Sequence, residues 1–298
     1  MMDTNTRRHA ALLAATEVVP GEWRDLADLI ASDGLDWLEG GTGLGSTGLA
    51  EHLVDNIDEG RVEHWLKVLD GLAETHPEIH LLTVADPGYP ANLREVYNRP
   101  PFLFVDGQFT GRDVRSAAIV GSRRASDEAL EAAYSLARDL AATGVTIVSG
   151  LADGVDTAAH EGALASEDGR TLAVFGTGID RVFPEENTEL ARRVAERGAV
   201  VSQFRPGSPP ARSTFPMRNA VISGLSRASL LVEASERSGT RSEAEHSLRQ
   251  NRPVLLWAPL LEHQSWAREF VNGHAGASFV WSSDDVLRAV DHTAPGVS

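Results

Sequence analysis

Three short runs of small residues lie beside or near arginines, and they are where this chain could do chemistry. Gly121-Ser122-Arg123-Arg124 follows the apolar run 117–120, Ser149-Gly150 follows the apolar run 145–148, and Ser238-Gly239-Thr240 follows 229–233. A turn without bulky side chains leaves backbone N–H groups open to an anion, and a neighbouring guanidinium makes phosphate the first ligand to consider. Gly176 and Gly178 form a similar turn after 171–175, although turn geometry alone accounts for these two glycines. The loop 205–216 adds Arg212 and Phe215, with Arg218 and Asn219 just beyond it. Arginines, an amide and one flat ring are what a single-stranded nucleic acid needs, because its phosphates take donors and its unpaired bases stack. Phe215 is either that ring or a core residue fixing the loop. Arg218 is either a phosphate contact or an ion-pair partner of Glu233 or Glu243. Asp156 and His160 stand four apart, but no third ligand accompanies them, so helix capping and a satisfied histidine are expected instead of a metal site.

These residues need a scaffold that brings strand ends together. The run 117–120 has no polar alternation, as in a strand covered on both faces. Ser126 is an expected N-cap with Asp127 and Glu128 in the first turn, where carboxylates suit the helix dipole. Ala129, Ala132, Ala133, Leu136, Ala137 and Leu140 then recur at helical spacing. Gly144 ends that helix and 145–148 is the next strand. The alternation continues, with strands at 171–175, 199–204, 229–233, 254–257 and 279–281. Helices are expected near 186–196, 217–224 and 241–250. Strands alternating with helices predict an α/β fold with an extended Rossmann-like, mostly parallel sheet, whose ligands sit at the carboxyl ends of the strands.

The N-terminal part reads differently. Leu12, Leu13, Trp23, Leu26, Leu29 and Ile30, then Leu35, Trp37 and Leu38, and a helix over 62–73, predict a small helical N-terminal domain over 1–79. Its glycine-rich break, Gly40 to Gly48, has neither a preceding strand nor a following lysine, so it is a connection and not a phosphate loop. Residues 80–298 form the second domain, entered through strands at 80–84 and 102–105.

Composition narrows the function. The chain has 298 residues and no cysteine, which excludes disulfides and thiolate metal sites. No run reads as a signal peptide or approaches the ~20 apolar residues of a membrane span, so a cytoplasmic protein with no membrane partner is expected. The net charge of −16 opposes a broad nucleic-acid surface, yet residues 205–252 carry eight arginines against four glutamates, net +4. A local anion site is compatible with that pattern, as are scattered solvated arginines.

The runs YPANL, RPPFLFVDG, IVGSRR, VSGLADGVDTAAHEGAL, AVFGTGIDRVFPEEN, FPMRNAVISGLS and LVEASERSGT occur in unbroken order over roughly 80–255. Together they resemble the DNA-processing protein family DprA (Smf). The resemblance implies a Rossmann-like domain that binds single-stranded DNA without hydrolysing it. It also implies a homodimer that hands the strand to a RecA-type recombinase during natural transformation, with no cofactor and no catalytic residue. The helical segment before residue 80 resembles the family's small N-terminal domain. The chain departs from the family at Asp153, where a basic residue is usual, and at Arg241-Ser242-Glu243-Ala244, where Leu-Ile-Thr-Ala is usual. The segment from Trp257 onward also lacks the usual Pro-Gly. Candidate DNA- or phosphate-binding residues are therefore Gly121, Ser122, Arg123, Arg124, Ser149, Gly150, Gly176, Arg212, Phe215, Arg218, Asn219, Ser238, Gly239 and Thr240.

A competing resemblance is enzymatic. Arg218 together with Ser238-Gly239-Thr240 and Glu243 resembles the arginine and Gly-Thr-x-x-Glu pattern of LOG-type nucleotide phosphoribohydrolases, which implies cleavage of a nucleoside monophosphate. A third reading is a nucleotide-sensing module without catalysis.

Overall fold

The sheet of this protein reverses its strand order at one point, and everything that follows depends on where that point falls. The structure, a computed structural model, describes residues 4–19, 23–39, 48–235 and 239–292; Ser238 and residues 40–47 of the glycine-rich break lie outside them. The chain begins with α1 (Thr4–Val18), α2 (Arg24–Asp33), α3 (Gly48–Asn56) and α4 (Glu59–Thr75). Next come β1 (Ile79–Thr83), α5 (Ala91–Arg94), β2 (Phe102–Gly107), β3 (Ser116–Val120) and α6 (Asp127–Ala142). The alternation proceeds through β4 (Thr146–Ser149), α7 (Val155–Ala165), β5 (Thr171–Val174), α8 (Thr188–Arg197) and β6 (Ala199–Ser202). After α9 (Thr214–Leu225) come β7 (Ala228–Leu231), α10 (Gly239–Arg249) and β8 (Val254–Trp257). The described chain closes with α11 (Ala258–Leu261), α12 (Ser265–Gly273), β9 (Ala277–Val280) and α13 (Ser283–His292).

The described strands form one nine-stranded sheet in the order β1-β2-β6-β5-β4-β3-β7-β8-β9. From β6 to β9 all pairings are parallel, while β2 pairs antiparallel with both β6 and β1. From β3 to β6 successive strands step one way across the sheet, and from β7 to β9 the other way. The switch point therefore lies between β3 and β7, which pair in register Ala117 with Ala228 through Val120 with Leu231. At such a point the loops leaving neighbouring strands diverge and open a crevice.

Both faces are covered, which explains the unbroken apolar strands. In β3, Ala117 and Ile119 join the core under α6, α7 and α13, whereas Ala118 and Val120 join the core on the opposite face. Helix α6 starts as the sequence predicts: the Ser126 hydroxyl accepts from Ala129 N at 3.2 Å. Its buried Ala129, Ala133 and Ala137 keep it close to the sheet. One helix is longer than its sequence pattern, and two more do not show in the pattern. Helix α9 begins at Thr214, three residues before the predicted Met217, because Pro216 suits a first helical turn. Helices α12 and α13 were not expected at all, and their buried faces are short: Ala267 and Phe270, then Val286 and Val290.

The N-terminal helices pack on the antiparallel edge and share one continuous apolar core with β1 and β2. The Trp23 and Phe102 rings stack at 5.9 Å. Arg205 donates to Glu17 at 2.7 Å and lies over the Trp65 ring at 5.2 Å.

Candidate functional site

The crevice lies at the switch point. Its floor is the end of β3, Val120 to Arg123, and its walls are the first turns of α9 and α10. The cavity there has a volume of about 340 Å³ and is lined by Gly121, Ser122, Arg123, Phe215, Arg218 and Asn219, among others, with Gly239, Thr240 and Glu243 from α10. A smaller cavity of about 70 Å³ adjoins it, lined by Gly150, Asp153, Gly176, Thr177, Phe183 and Pro184. Arg123, Ala152, Phe215 and Arg218 border both. Ten of the fourteen candidates thus converge here from five separate strand ends.

Four do not line either cavity. Ser149 is fully buried, its hydroxyl donating to Ile119 O at 2.7 Å. A strand residue one position short of the turn faces the sheet interior, which accounts for this. Arg124 and Arg212 are exposed beyond the rim. Ser238 lies outside the described residues.

Local hydrogen bonds decide which groups can reach a ligand. Ser122 N donates to Glu233 O at 2.9 Å, and Val155 N donates to Ser122 O at 3.2 Å. The Ser122 backbone therefore ties β3 to β7 and α7, and its N–H is not open to an anion. Gly154 makes that junction possible: at φ +79° it sits where a Cβ would collide with the carbonyls of Ser122 and Arg123. The remaining positive features are the start of α10, whose dipole points its positive end into the crevice, and the exposed Arg123. Arg123 holds its guanidinium 4.7 Å from the centroid of Phe215.

Arg218 is different. It is 5 % exposed and donates to Gly150 O and to Val174 O, at 3.0 Å for the second, with Nε to Asn219 Oδ1 at 3.1 Å. Among the described residues it forms no ion pair with Glu233 or Glu243. It staples the ends of β4 and β5 to α9. Gly150 must be glycine for this, since a Cβ there would run into the Arg218 guanidinium and the Asp156 carboxylate.

A buried titratable cluster surrounds Arg218. Burial raises the carboxyl of Asp156 above its ordinary range and that of Glu243 well above it, and the Arg218 charge opposes both shifts. Among the described residues, both Glu243 oxygens are buried without a hydrogen-bond partner by distance and angle. Burial, with Arg218 behind it, lowers His160 to about 3, so this imidazole is neutral. Its Nδ1 sits 2.8 Å from the Thr171 hydroxyl, which itself donates to Ile147 O. The proton is therefore on Nδ1. Asp156, in the first turn of α7, accepts at Oδ2 from Ala152 N in the preceding loop at 3.4 Å and does not cap the helix, whose N-cap is Gly154. No group of three or more His, Asp or Glu side chains able to hold a metal exists among the described residues.

Sequence reading missed Phe183. It is 43 % exposed and its ring lies 6.1 Å from that of Phe215. An aromatic residue before a proline in the loop leaving β5 was the available signal.

Comparison with known proteins gives a consistent answer. The protein Smf of Synechocystis is 36 % identical over 215 residues, covering 70 % of this chain and 53 % of that protein. The chain thus spans about half the length of that relative. DNA processing protein DprA of Streptococcus pneumoniae is 34 % identical over 228 residues, covering 76 % of this chain and 80 % of that protein. The crystal structure of the S. pneumoniae protein superposes with a TM-score of 0.66 over 95 % of this chain and 92 % of that one, at 27 % identity. DNA processing protein A from Helicobacter pylori, whose structure describes a single-stranded-DNA binding mode, shares the fold with a TM-score of 0.63 over 74 % of this chain and 99 % of that one, at 23 % identity. Residues 80–291 match the family model of DNA recombination-mediator protein A, and the chain belongs to that family.

Proposed function

We propose that this chain binds single-stranded DNA across the crevice between β3 and β7, as a non-catalytic mediator that passes the strand to a RecA-type recombinase and works as a homodimer. In this reading, residues 80–298 carry the DNA and the helical domain 1–79 is accessory. Family membership supports the substrate class. The observation that carries it to the site is the meeting of Arg123, the start of α10 and an aromatic pair at the switch point. Phosphate is served by the first two, and unpaired bases by the third.

The test is fluorescence anisotropy with labelled oligo-dT and with a blunt duplex of equal length. Single strand is expected to bind more tightly, with log affinity falling at a slope of about −0.7 per phosphate neutralised as salt rises. Arg123→Ala is expected to weaken binding by about 1.5–3 kcal/mol, the worth of a charge-assisted contact, without moving the thermal midpoint. Equal affinity for duplex would remove the reading.

A second reading, hydrolysis of a nucleoside monophosphate, is favoured by one observation: Glu243 borders the crevice, and among the described residues neither of its oxygens has a hydrogen-bond partner. Burial holds that carboxyl away from the ionised form such chemistry needs, so binding stands first. Incubation with AMP is expected to release no adenine. Release that disappears in Glu243→Gln would reverse the order.

A further inference from the structure

The segment that leads into α9, one wall of the crevice, is anchored outside it, on the helical domain. Glu17, near the end of α1, accepts from Arg61 Nε at 2.7 Å and from Trp65 Nε1 at 3.2 Å, both on α4. It also accepts from Arg205 Nη1, beyond the end of β6, at 2.7 Å. The Arg205 and Arg61 guanidinium groups lie 5.2 Å and 6.0 Å from the centroid of the buried Trp65 ring. The hydrogen bond from Arg61, with the charge of Arg205 beside it, lowers the Glu17 carboxyl against the opposing effect of burial. From Arg205 onward the chain is tied at short intervals. Ser208 N donates to Arg205 O at 3.1 Å, Gly178 N to Ser208 O at 3.0 Å and Gly207 N to Asp180 Oδ1 at 2.8 Å, which fixes the turn 205–208 to the loop after β5. Pro209 and Pro210 follow, and their rings lock φ. The Thr214 hydroxyl then donates to Ala211 O at 2.9 Å, where α9 begins. A bonded turn, two prolines and a tied helix start transmit a displacement instead of absorbing it.

We propose that Glu17 and Arg205 form a latch through which the helical domain sets the placement of α9, and with it the wall that carries Phe215, Arg218 and Asn219. This rests on the single-stranded-DNA reading above and gives the accessory domain a task in it. Glu17 and Arg205 are positioning residues, since neither lines the crevice. Coupling of this kind is reciprocal, so a strand held against α9 tightens the latch in turn.

The experiment is fluorescence anisotropy with labelled oligo-dT, beside hydrogen exchange of the free protein. Glu17→Ala removes a negative charge, so the field alone would tighten DNA binding. The latch predicts the opposite sign: binding about 5- to 150-fold weaker, the range of a coupling between sites, at an unchanged salt slope. Amides 207–208 and 218–221 are expected to exchange faster without DNA, while those of β3 keep wild-type protection. A second variant, Pro209→Gly with Pro210→Gly, leaves the Glu17 contacts in place and softens only the strap, so an unfolded helical domain cannot account for its behaviour. It is expected to show the same weakening and the same faster exchange of 218–221. All three substitutions together are expected to weaken binding no further than the stronger variant, because both cut one connection. Unchanged exchange, additive weakening, or affinity at or above wild type in either variant would overturn this inference alone. A wild type that binds no single strand would overturn the reading beneath it, while the exchange experiment still tests the latch.

Discussion

Arg218 sits in the crevice yet is built as a structural residue, and its removal separates the two roles. Arg218→Ala takes a donor from Gly150 O and Val174 O, at the ends of two adjacent parallel strands. It also leaves Asp156 and Glu243 buried without the positive charge that now holds their carboxyls down. Removing one partner of a buried charge group costs about 3–5 kcal/mol. In a chain of this size that is a fall in thermal midpoint of roughly 6–10 °C. The deficit should depend on pH. Both carboxyls titrate higher in the folded state than in the unfolded one, so they cost stability as pH rises from about 4 through their folded values. Without Arg218 their folded values rise further, so the deficit is small near pH 4.5 and grows toward pH 8. Thermal unfolding of wild type and variant at both pH values is the assay. An unchanged midpoint at pH 8 would refute the structural role and return Arg218 to the ligand contacts.

Two other perturbations test the same cluster. Gly150→Ala drives a methyl group against the Arg218 guanidinium, and should cost about 1–3 kcal/mol by overpacking, read by thermal unfolding. His160, held neutral at about 3 in the fold against an ordinary 6.5, contributes stability that is complete above 6.5 and lost as pH falls toward 3. That contribution is at most about 5 kcal/mol; His160→Gln should flatten the acid limb of the stability curve, and a wild-type His160 ring titrating near 6.5 by NMR would refute the burial argument.

Local periodicity made the sheet legible. The run 117–120, the Ser126 cap and the alanine face of α6 are all encoded within a few residues of where they act. The antiparallel edge was less legible, because nothing in 102–107 says that it pairs with β6 nearly a hundred residues later. The site was legible as a set of turns, since glycine and serine after an apolar run mark a strand end. What could not be read was orientation. Ser149 lies next to Gly150 but faces the sheet interior, and Arg218 turns inward to backbone carbonyls whose positions come from β4 and β5. Phe183 escaped because its exposure depends on how the loop after β5 is tied down.

Charge shows the same limit, and resolving it explains how so acidic a chain can face an anion. The eight arginines of 205–252 looked like a basic segment, but most are consumed within the fold. Arg205 pairs with Glu17, Arg227 and Arg252 with Glu95, and Arg241 and Arg249 with Glu245. Arg218 is buried, Arg237 lies outside the described residues, and Arg212 alone of the described seven is exposed without an ion pair. The accessible cations near the crevice come instead from the turn after β3, Arg123 and Arg124, which lie outside that arginine-rich segment. On the other side of the balance, the two carboxyls that line the larger cavity, Asp156 and Glu243, are a buried pair whose surroundings favour the neutral form, while the exposed Asp153 borders the smaller one. Field at a site depends on charges that are both ionised and unpaired, and it falls off within about 10 Å at ordinary salt. A net charge of −16 spread over the remaining surface therefore slows the approach of a polyanion without cancelling the local attraction of Arg123 and the α10 terminus.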